Sequence, residues 1–356
     1  MDDKGKDRLI IGGGTAAGAV PADKLDALRP TAGTAVEPVN LTPLRRYWHP
    51  VADAADVRDA PISVRLLNES IVIFRSGDRV SAFKDLCLHR GAKISMGKVR
   101  DGNIICPYHG LEYDGDGRCV YIPSQPRDLQ KIPPRLRLIR YHCEIRYGLV
   151  WVALEEPVAP IPPFPQFDDP SFKVWRAFRS TWQASAARWI ENALDISHFP
   201  IVHPGLLGDP EHPQLEPFEV VRSDGGLFYE FDWIQPIAPY GNPVVHYQYF
   251  LDFPFTIRLA IHNEIGITLI TGFTLPTAGN ECSMWIFLGR NHSFELPDSD
   301  LTAFLKTLLL QDQAVTEQQH PEMLPVDLTA EVHLRVADAP GVAFRRLLRE
   351  IGLTYA

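Results

Sequence analysis

Two short cysteine–histidine pairs constrain this chain more than any other feature. Cys87-Leu88-His89 is followed, after sixteen residues, by Cys106-Pro107-Tyr108-His109, so each segment offers one thiolate and one imidazole. Zinc-finger spacing pairs cysteine with cysteine and histidine with histidine, whereas here each loop mixes the two. Iron–sulfur clusters usually take four thiolates. In one class two neutral imidazoles replace two thiolates on one iron, which removes negative charge and raises the reduction potential by roughly several hundred millivolts. Gly91, Gly97 and Gly110 lie close by and permit tight loop turns. The four residues are therefore read as a [2Fe–2S] site of the mixed type, with a structural Cys₂His₂ zinc site as the alternative.

Both pairs sit among short β-like runs such as residues 71–74 and 148–152, separated by turn signals at residues 76–78 and 114–117. That pattern predicts a small antiparallel β domain over residues 41–156. A proline-dense stretch with Pro157, Pro160, Pro162, Pro163, Pro165 and Pro170 marks a stiff boundary. Beyond it come a helical stretch near residues 184–199, strand-like runs over about 218–290, and closing helices around 301–319 and 342–351. The expectation is an α+β protein whose second domain, residues 157–356, is catalytic and carries an antiparallel sheet flanked by helices. A chain of 356 residues suits two domains.

Residues 1–40 lack sustained periodicity and are read as a mobile arm. Gly12 to Gly18 approximate a dinucleotide fingerprint, but a three-residue apolar run precedes them, and Pro21 and Pro30 interrupt the helix and strand that such a fingerprint requires, so no nucleotide is expected there. Residues 9–20 resemble a signal-peptide core, yet the flank carries as many acids as bases and the centre is glycine. No apolar run approaches the roughly 20 residues that span a bilayer. Five scattered cysteines suit a reducing compartment, and the cytoplasm is the expected location. Cys119, Cys143 and Cys282 read as small buried hydrophobes.

A net charge of −9 argues against sequence-independent nucleic-acid binding. Charge is unevenly placed, however: residues 84–146 hold 12 Lys/Arg against 7 Asp/Glu, a local +5 that leaves −14 elsewhere. Such a basic segment marks a candidate docking surface, with Arg90, Lys93, Lys98 and Arg118 as its candidate contacts.

A second constellation lies in residues 191–203, ENALDISHFPIVH, where His198 and His203 stand five apart and Asp195 precedes the first by three. On a straight helix five residues turn about 140° beyond a revolution, so both rings could not meet one metal. The helix must break, and Pro200, which clashes with the carbonyl of Ile196, is the expected cause. Two histidines and one carboxylate on one face of Fe(II) leave positions open for substrate-side access and O₂. Asp195 suits an orienting role, accepting the other N–H of an imidazole. For the carboxylate the candidate is Asp312, in an otherwise apolar helix where an inward unpaired charge is costly. A solvated helix position is its plainer reading from these residues alone, and Asp327 and Asp338 are weaker candidates.

The segments CLHRGAKISMG and CPYHGLEYDGDGRC resemble the two cluster-binding loops of Rieske non-haem iron oxygenases. Leu88 stands where the family commonly has proline, and Leu111 where it often has tryptophan; neither is a ligand, and leucine at the second position occurs in demethylase-like members. The resemblance covers nearly the whole chain after residue 40. It is strongest to single-subunit oxygenases that hydroxylate or demethylate small molecules, including the saxitoxin-pathway hydroxylases, through RYGLVW at 146–151, ISHFP at 196–200 and IGLTY at 351–355.

The resemblance implies a monooxygenase or dioxygenase with a Rieske [2Fe–2S] cluster and mononuclear Fe(II), acting on a small molecule with O₂. It implies Asp312 as the carboxylate ligand, since the family's ligand occupies a similar helix near the C-terminus. Electrons from NAD(P)H would come from a separate flavin reductase or ferredoxin. It further implies head-to-tail homotrimers in which His109 faces Asp195 of the next subunit. Oxidative cyclisation or desaturation is a rival outcome at the same iron. A Rieske electron carrier with a vestigial second site is a rival of another class, separated by iron content, two per chain rather than three. Pocket residues are expected from residues 218–290 and from the loop after His203.

Overall fold

The computed structural model describes residues 39–223, 225–236 and 243–356. The expected N-terminal arm, its glycine run and its signal-like stretch lie outside the described residues, apart from positions 39 and 40.

The first half is built from three small antiparallel sheets. One joins β1 (His49–Asp53), β10 (Leu149–Ala153) and β9 (His142–Arg146); another joins β2 (Ile62–Leu66), β3 (Glu69–Ser76) and β4 (Arg79–Lys84). The third joins β5 (Lys98–Arg100), β6 (Asn103–Ile105), β7 (Glu112–Tyr113) and β8 (Cys119–Tyr121); the first cysteine–histidine segment lies on the connection from β4 into it and the second on its β6–β7 connection. A separate apolar cluster around Val72, Phe74, Phe83, Ile104, Tyr113 and Leu138 packs beneath those loops.

The second half is a seven-stranded antiparallel sheet, ordered β11 (Lys173–Trp182), β17 (Glu281–Arg290), β16 (Gly266–Ala278), β15 (Thr256–Asn263), β14 (Val244–Asp252), β13 (Gly226–Ile234) and β12 (Val220–Ser223). Strict alternation along β14 turns Val245, Tyr247, Tyr249 and Leu251 inward. Across the ladder Tyr229 pairs with Tyr249 and Phe231 with Tyr247, their rings stacked at 4.8 and 5.3 Å. Sequence periodicity does not mark β11, whose burial pattern is irregular; pairing with β17 makes it a strand.

Among the described residues four helices cover the inner face: α1 (Ala186–Leu194), the short α2 (Phe199–Val202), α3 (Asp298–Thr316) and α4 (Ala339–Glu350). The α1 helix starts where the Ser185 hydroxyl accepts from the Arg188 amide. It buries Trp189, Ile190 and Leu194, each such side chain stabilising by roughly 1.5–3 kcal/mol. Arg345 on α4 grips Glu191 on α1 through Nε at 2.6 Å and Nη2 at 2.8 Å, a bidentate pair that sets the helix ahead of the histidines.

The break before the second histidine differs from the expectation. The helix stops at Asp195, whose backbone is extended (φ −79°, ψ 134°), five residues before Pro200. Pro200 instead lies in the first turn of α2, where its missing N–H is harmless. The proline-dense stretch is also more than a spacer: Phe164 and Ile161 are buried, and the Tyr147 hydroxyl donates to Pro162 O and accepts from the Phe164 amide. The core runs across this boundary, joining Trp151 to Phe273 and Trp285. Among the described residues no helix is long and apolar enough to cross a membrane.

Candidate functional site

The two cysteine–histidine loops close in the same way. In the first, the Cys87 amide donates to Ala92 O at 2.8 Å and the Gly91 amide to Cys87 O at 2.8 Å; in the second, the Cys106 amide donates to Leu111 O at 2.8 Å and the Gly110 amide to Cys106 O at 3.1 Å. Each closure needs a left-handed residue, with φ +72° at Gly91 and +68° at Gly110. The result buries both thiols and leaves His89 and His109 exposed above them, ring centroids 4.5 Å apart. Two thiolates beneath two converging imidazoles is the layering required by a cluster with one sulfur-held and one nitrogen-held iron, so this donor set fits a [2Fe–2S] group.

Tyr113 was missed by spacing arguments because it is not a ligand. Its hydroxyl lies 3.2 Å from Cys87 Sγ. Burial first, and then the Cys87 sulfur, push this phenol well up, so against a thiolate it donates. A donor to a cluster sulfur raises the reduction potential.

In the second half the break at Asp195 lets His203 return beside His198, ring centroids 5.2 Å apart. Asp312 arrives from α3, its Oδ1 lying 3.0 Å from His203 Nε2 and 3.4 Å from His198 Nε2. One donor atom from each residue lies within 4.8 Å of the others, a group that could hold a metal ion. The outer nitrogens are held from behind: His198 Nδ1 is 3.1 Å from Asp195 Oδ2, and His203 Nδ1 is 2.8 Å from Gln311 Oε1. Both acceptors select the tautomer with hydrogen on Nδ1, which aims each Nε2 lone pair at the centre. Gln311 was not singled out from the sequence, although it precedes Asp312.

The electrostatics also suit a cation. Burial alone would raise Asp312, but the imidazoles of His198 and His203 facing its Oδ1 hold its carboxyl below the usual range. Burial lowers His198, yet Asp195 and Asp312 outweigh it and bring the imidazole up to about 9. Asp312 Oδ1 is buried and has no hydrogen-bond partner of good geometry, as expected of an oxygen shaped for a metal. A proton therefore competes with a divalent ion for this centre. The weaker candidates lie elsewhere: Asp327 accepts from Thr329 in an exposed turn, and Asp338 precedes α4 and accepts from the Leu334 amide at 2.5 Å.

A cavity of about 310 Å³ opens on this triad. Its walls combine the inner face of the sheet, including Val245, Tyr247 and Ile270, with Leu207 from the loop after His203. Trp189 on α1 and Leu305 and Phe304 on α3 also contribute, a source sequence reasoning did not name. Among the described lining residues there is no lysine or arginine.

The Rieske [2Fe-2S] domain family matches residues 47–139, and the vanillate O-demethylase oxygenase C-terminal domain family matches residues 182–353. The chain is 32% identical to the methylxanthine N1-demethylase NdmA of Pseudomonas putida over 86% of its own length and 89% of the relative's. It is 33% identical to the methylxanthine N3-demethylase NdmB of the same organism, over 88% and 91%. The structure of Pseudomonas putida NdmA with caffeine superposes with a TM-score of 0.79 at 30% identity, covering 86% of this chain and 91% of that one. Dicamba monooxygenase bound to dicamba shares the fold, with a TM-score of 0.71 at 21% identity over 86% and 97%.

Proposed function

Because the chain belongs to the Rieske non-haem iron oxygenases, we propose that its substrate is a small neutral aromatic or heteroaromatic molecule that it demethylates or hydroxylates. The chain is the terminal oxygenase of a multi-component system, an oxidoreductase with a Rieske [2Fe–2S] cluster and a mononuclear iron, and it needs a separate reductase or ferredoxin. In this reading Cys87, His89, Cys106 and His109 hold the cluster, and His198, His203 and Asp312 hold the iron. When bound, the iron supplies the position where O₂ is reduced and a substrate C–H bond is oxidised; an N- or O-methyl group so oxidised leaves as formaldehyde. Asp195 and Gln311 keep the two imidazoles aimed at that position, and the apolar walls exclude bulk water from it.

One observation carries the substrate class: the cavity beside the triad has no lysine or arginine among its described lining residues to pair with a substrate carboxylate. A carboxylate buried among apolar walls without a cation is strongly disfavoured. The vanillate and dicamba of other relatives are carboxylic acids; methylxanthines are neutral. A volume of about 310 Å³ is at the small end for ligand pockets and suits a one- or two-ring molecule. Turnover of paired neutral and acidic methyl compounds with a surrogate reductase tests this. Formaldehyde from caffeine or other neutral N-methyl or O-methyl heteroaromatics is the expected result, with three irons per chain. Formaldehyde from vanillate alone overturns the neutral class, and two irons per chain without turnover favours an electron carrier.

The assembly proposed is a head-to-tail homotrimer with His109 beside Asp195 of the next subunit. Its support is the apolar rim around the exposed histidines, where Leu88 is 45%, Met96 74% and Tyr108 63% exposed. Exposed apolar groups clustered at one tip suit a protein contact. The proposed location is the cytoplasm, where an iron–sulfur cluster and five unbridged cysteines persist.

A further inference from the structure

The substrate cavity contains a polar side chain whose direction the fold dictates. Gln235 comes directly after β13, is buried, and lines the cavity. Its backbone amide donates to Pro243 O at 3.1 Å, so the side chain springs from a pinned backbone. Tyr247, an inward residue of β14, donates its hydroxyl to Gln235 Oε1 at 3.1 Å. Tyr247 is fully buried, and burial pushes its phenol well up, so it keeps its proton and stays a donor.

A glutamine whose oxygen is engaged has two N–H donors left. In a cavity walled by Ile257, Leu259, Ile270 and Leu288, a donor without an acceptor is disfavoured, so a ligand that supplies the acceptor gains selectively. The polar groups on the β15–β16 side are already used by the fold. Thr268 Oγ1 lies 3.1 Å from His292 Nε2, and Asn263 Oδ1 accepts from the Ile265 and Gly266 amides at 3.0 Å each. Tyr247 also packs against Phe199, ring centroids 6.1 Å apart, and Phe199 abuts the rings of both His198 and His203. The Gln235–Tyr247 pair is thus joined through one aromatic ring to the metal-facing histidines.

We propose that Gln235 orients the substrate, its Nε2 donating to a carbonyl oxygen or aromatic ring nitrogen, with Tyr247 fixing the amide in that sense. This rests on the neutral-substrate reading and adds to it the requirement for a hydrogen-bond acceptor. A site built to hydrogen-bond its ligand rejects an analogue lacking the partner far more sharply than an apolar wall senses a change of size.

Equilibrium dialysis of the iron-loaded protein without reductant tests this, using caffeine, which carries two carbonyl acceptors, and 1-methylnaphthalene, which has none. Wild type is expected to bind both. Gln235→Leu should weaken caffeine by tenfold or more and leave 1-methylnaphthalene within about twofold. Gln235→Glu, nearly isosteric, should lose caffeine as strongly, because an acceptor oxygen replaces the donor. Tyr247→Phe should fall between, since the amide is then free to turn. Caffeine affinity unchanged in both Gln235 variants overturns this inference alone. Wild type that binds vanillate but neither neutral probe overturns the neutral-substrate reading, and this inference with it.

Discussion

Gln311 accepts from His203 Nδ1 at 2.8 Å, and its immediate neighbour Asp312 reaches the other nitrogen of the same ring at 3.0 Å. Two consecutive residues of α3 thus clasp one imidazole from both sides. Replacing Gln311 with leucine removes the acceptor that keeps hydrogen on Nδ1. Mononuclear iron should then bind roughly 10- to 100-fold more weakly, while the cluster absorption stays unchanged. Chelator competition with iron counted per chain measures it, and Gln311→Glu, which keeps an acceptor, should retain the metal. Equal affinity in the leucine variant would show that packing alone orients the ring.

Asp195 and Asp312 both approach His198 and should fail differently. Asp312→Ala should deplete the mononuclear iron and leave the cluster spectrum intact, since the cluster lies on separate loops. Asp195→Asn should keep most of the iron, because neither iron–nitrogen bond is removed. In the proposed trimer it should slow substrate-dependent oxidation of the reduced cluster sharply, through loss of the charge-assisted link that Asp195 would make between His198 and His109 of the next subunit. Iron per chain beside single-turnover cluster oxidation checks both; the reverse pattern exchanges the roles.

His49 on β1 provides a pH test. Burial pushes its imidazole down to about 4, against a weaker upward pull from its hydrogen bond to Leu44 O. Between pH 6.5 and 4 the unfolded chain binds a proton the folded chain refuses, so stability falls as pH drops through that window and is complete above it. The full effect is about 3 kcal/mol. Tm of wild type should therefore decline more steeply from about pH 7.5 to about 5 than that of His49→Gln. Parallel declines would assign the acid sensitivity to other groups.

Docking of the electron donor gives the last expectation. Arg90, Lys93, Lys98 and Arg118 are all exposed around the cluster loops. An acidic ferredoxin or reductase should associate faster at low ionic strength, and Lys93→Glu with Lys98→Glu should slow cluster reduction severalfold at low salt and little at high salt. Stopped-flow reduction at several salt concentrations reads this directly. Rates insensitive to salt in wild type would remove the basic surface from the docking step.

The sequence by itself determined which residues are candidates for both centres. The convergence of Cys87, His89, Cys106 and His109, the proposed cluster ligands, is legible because ligand chemistry demands particular side chains at loop spacing, and that of His198 and His203 because five residues on a helix force a break. The strands over about residues 218–290 were legible as strand-like runs, which are a local property. Other features depended on distant partners that no local pattern encodes. The break fell at Asp195, which hydrogen-bonds Ser197 and His198, rather than at the proline. The β11 strand exists through pairing with a strand about a hundred residues away. Tyr113, Gln311 and Gln235 acquire their roles from a neighbour's sulfur, imidazole or phenol. A hydrogen bond across 108 residues leaves no periodicity in the sequence, so only the tertiary structure decided which amides and hydroxyls support the chemistry.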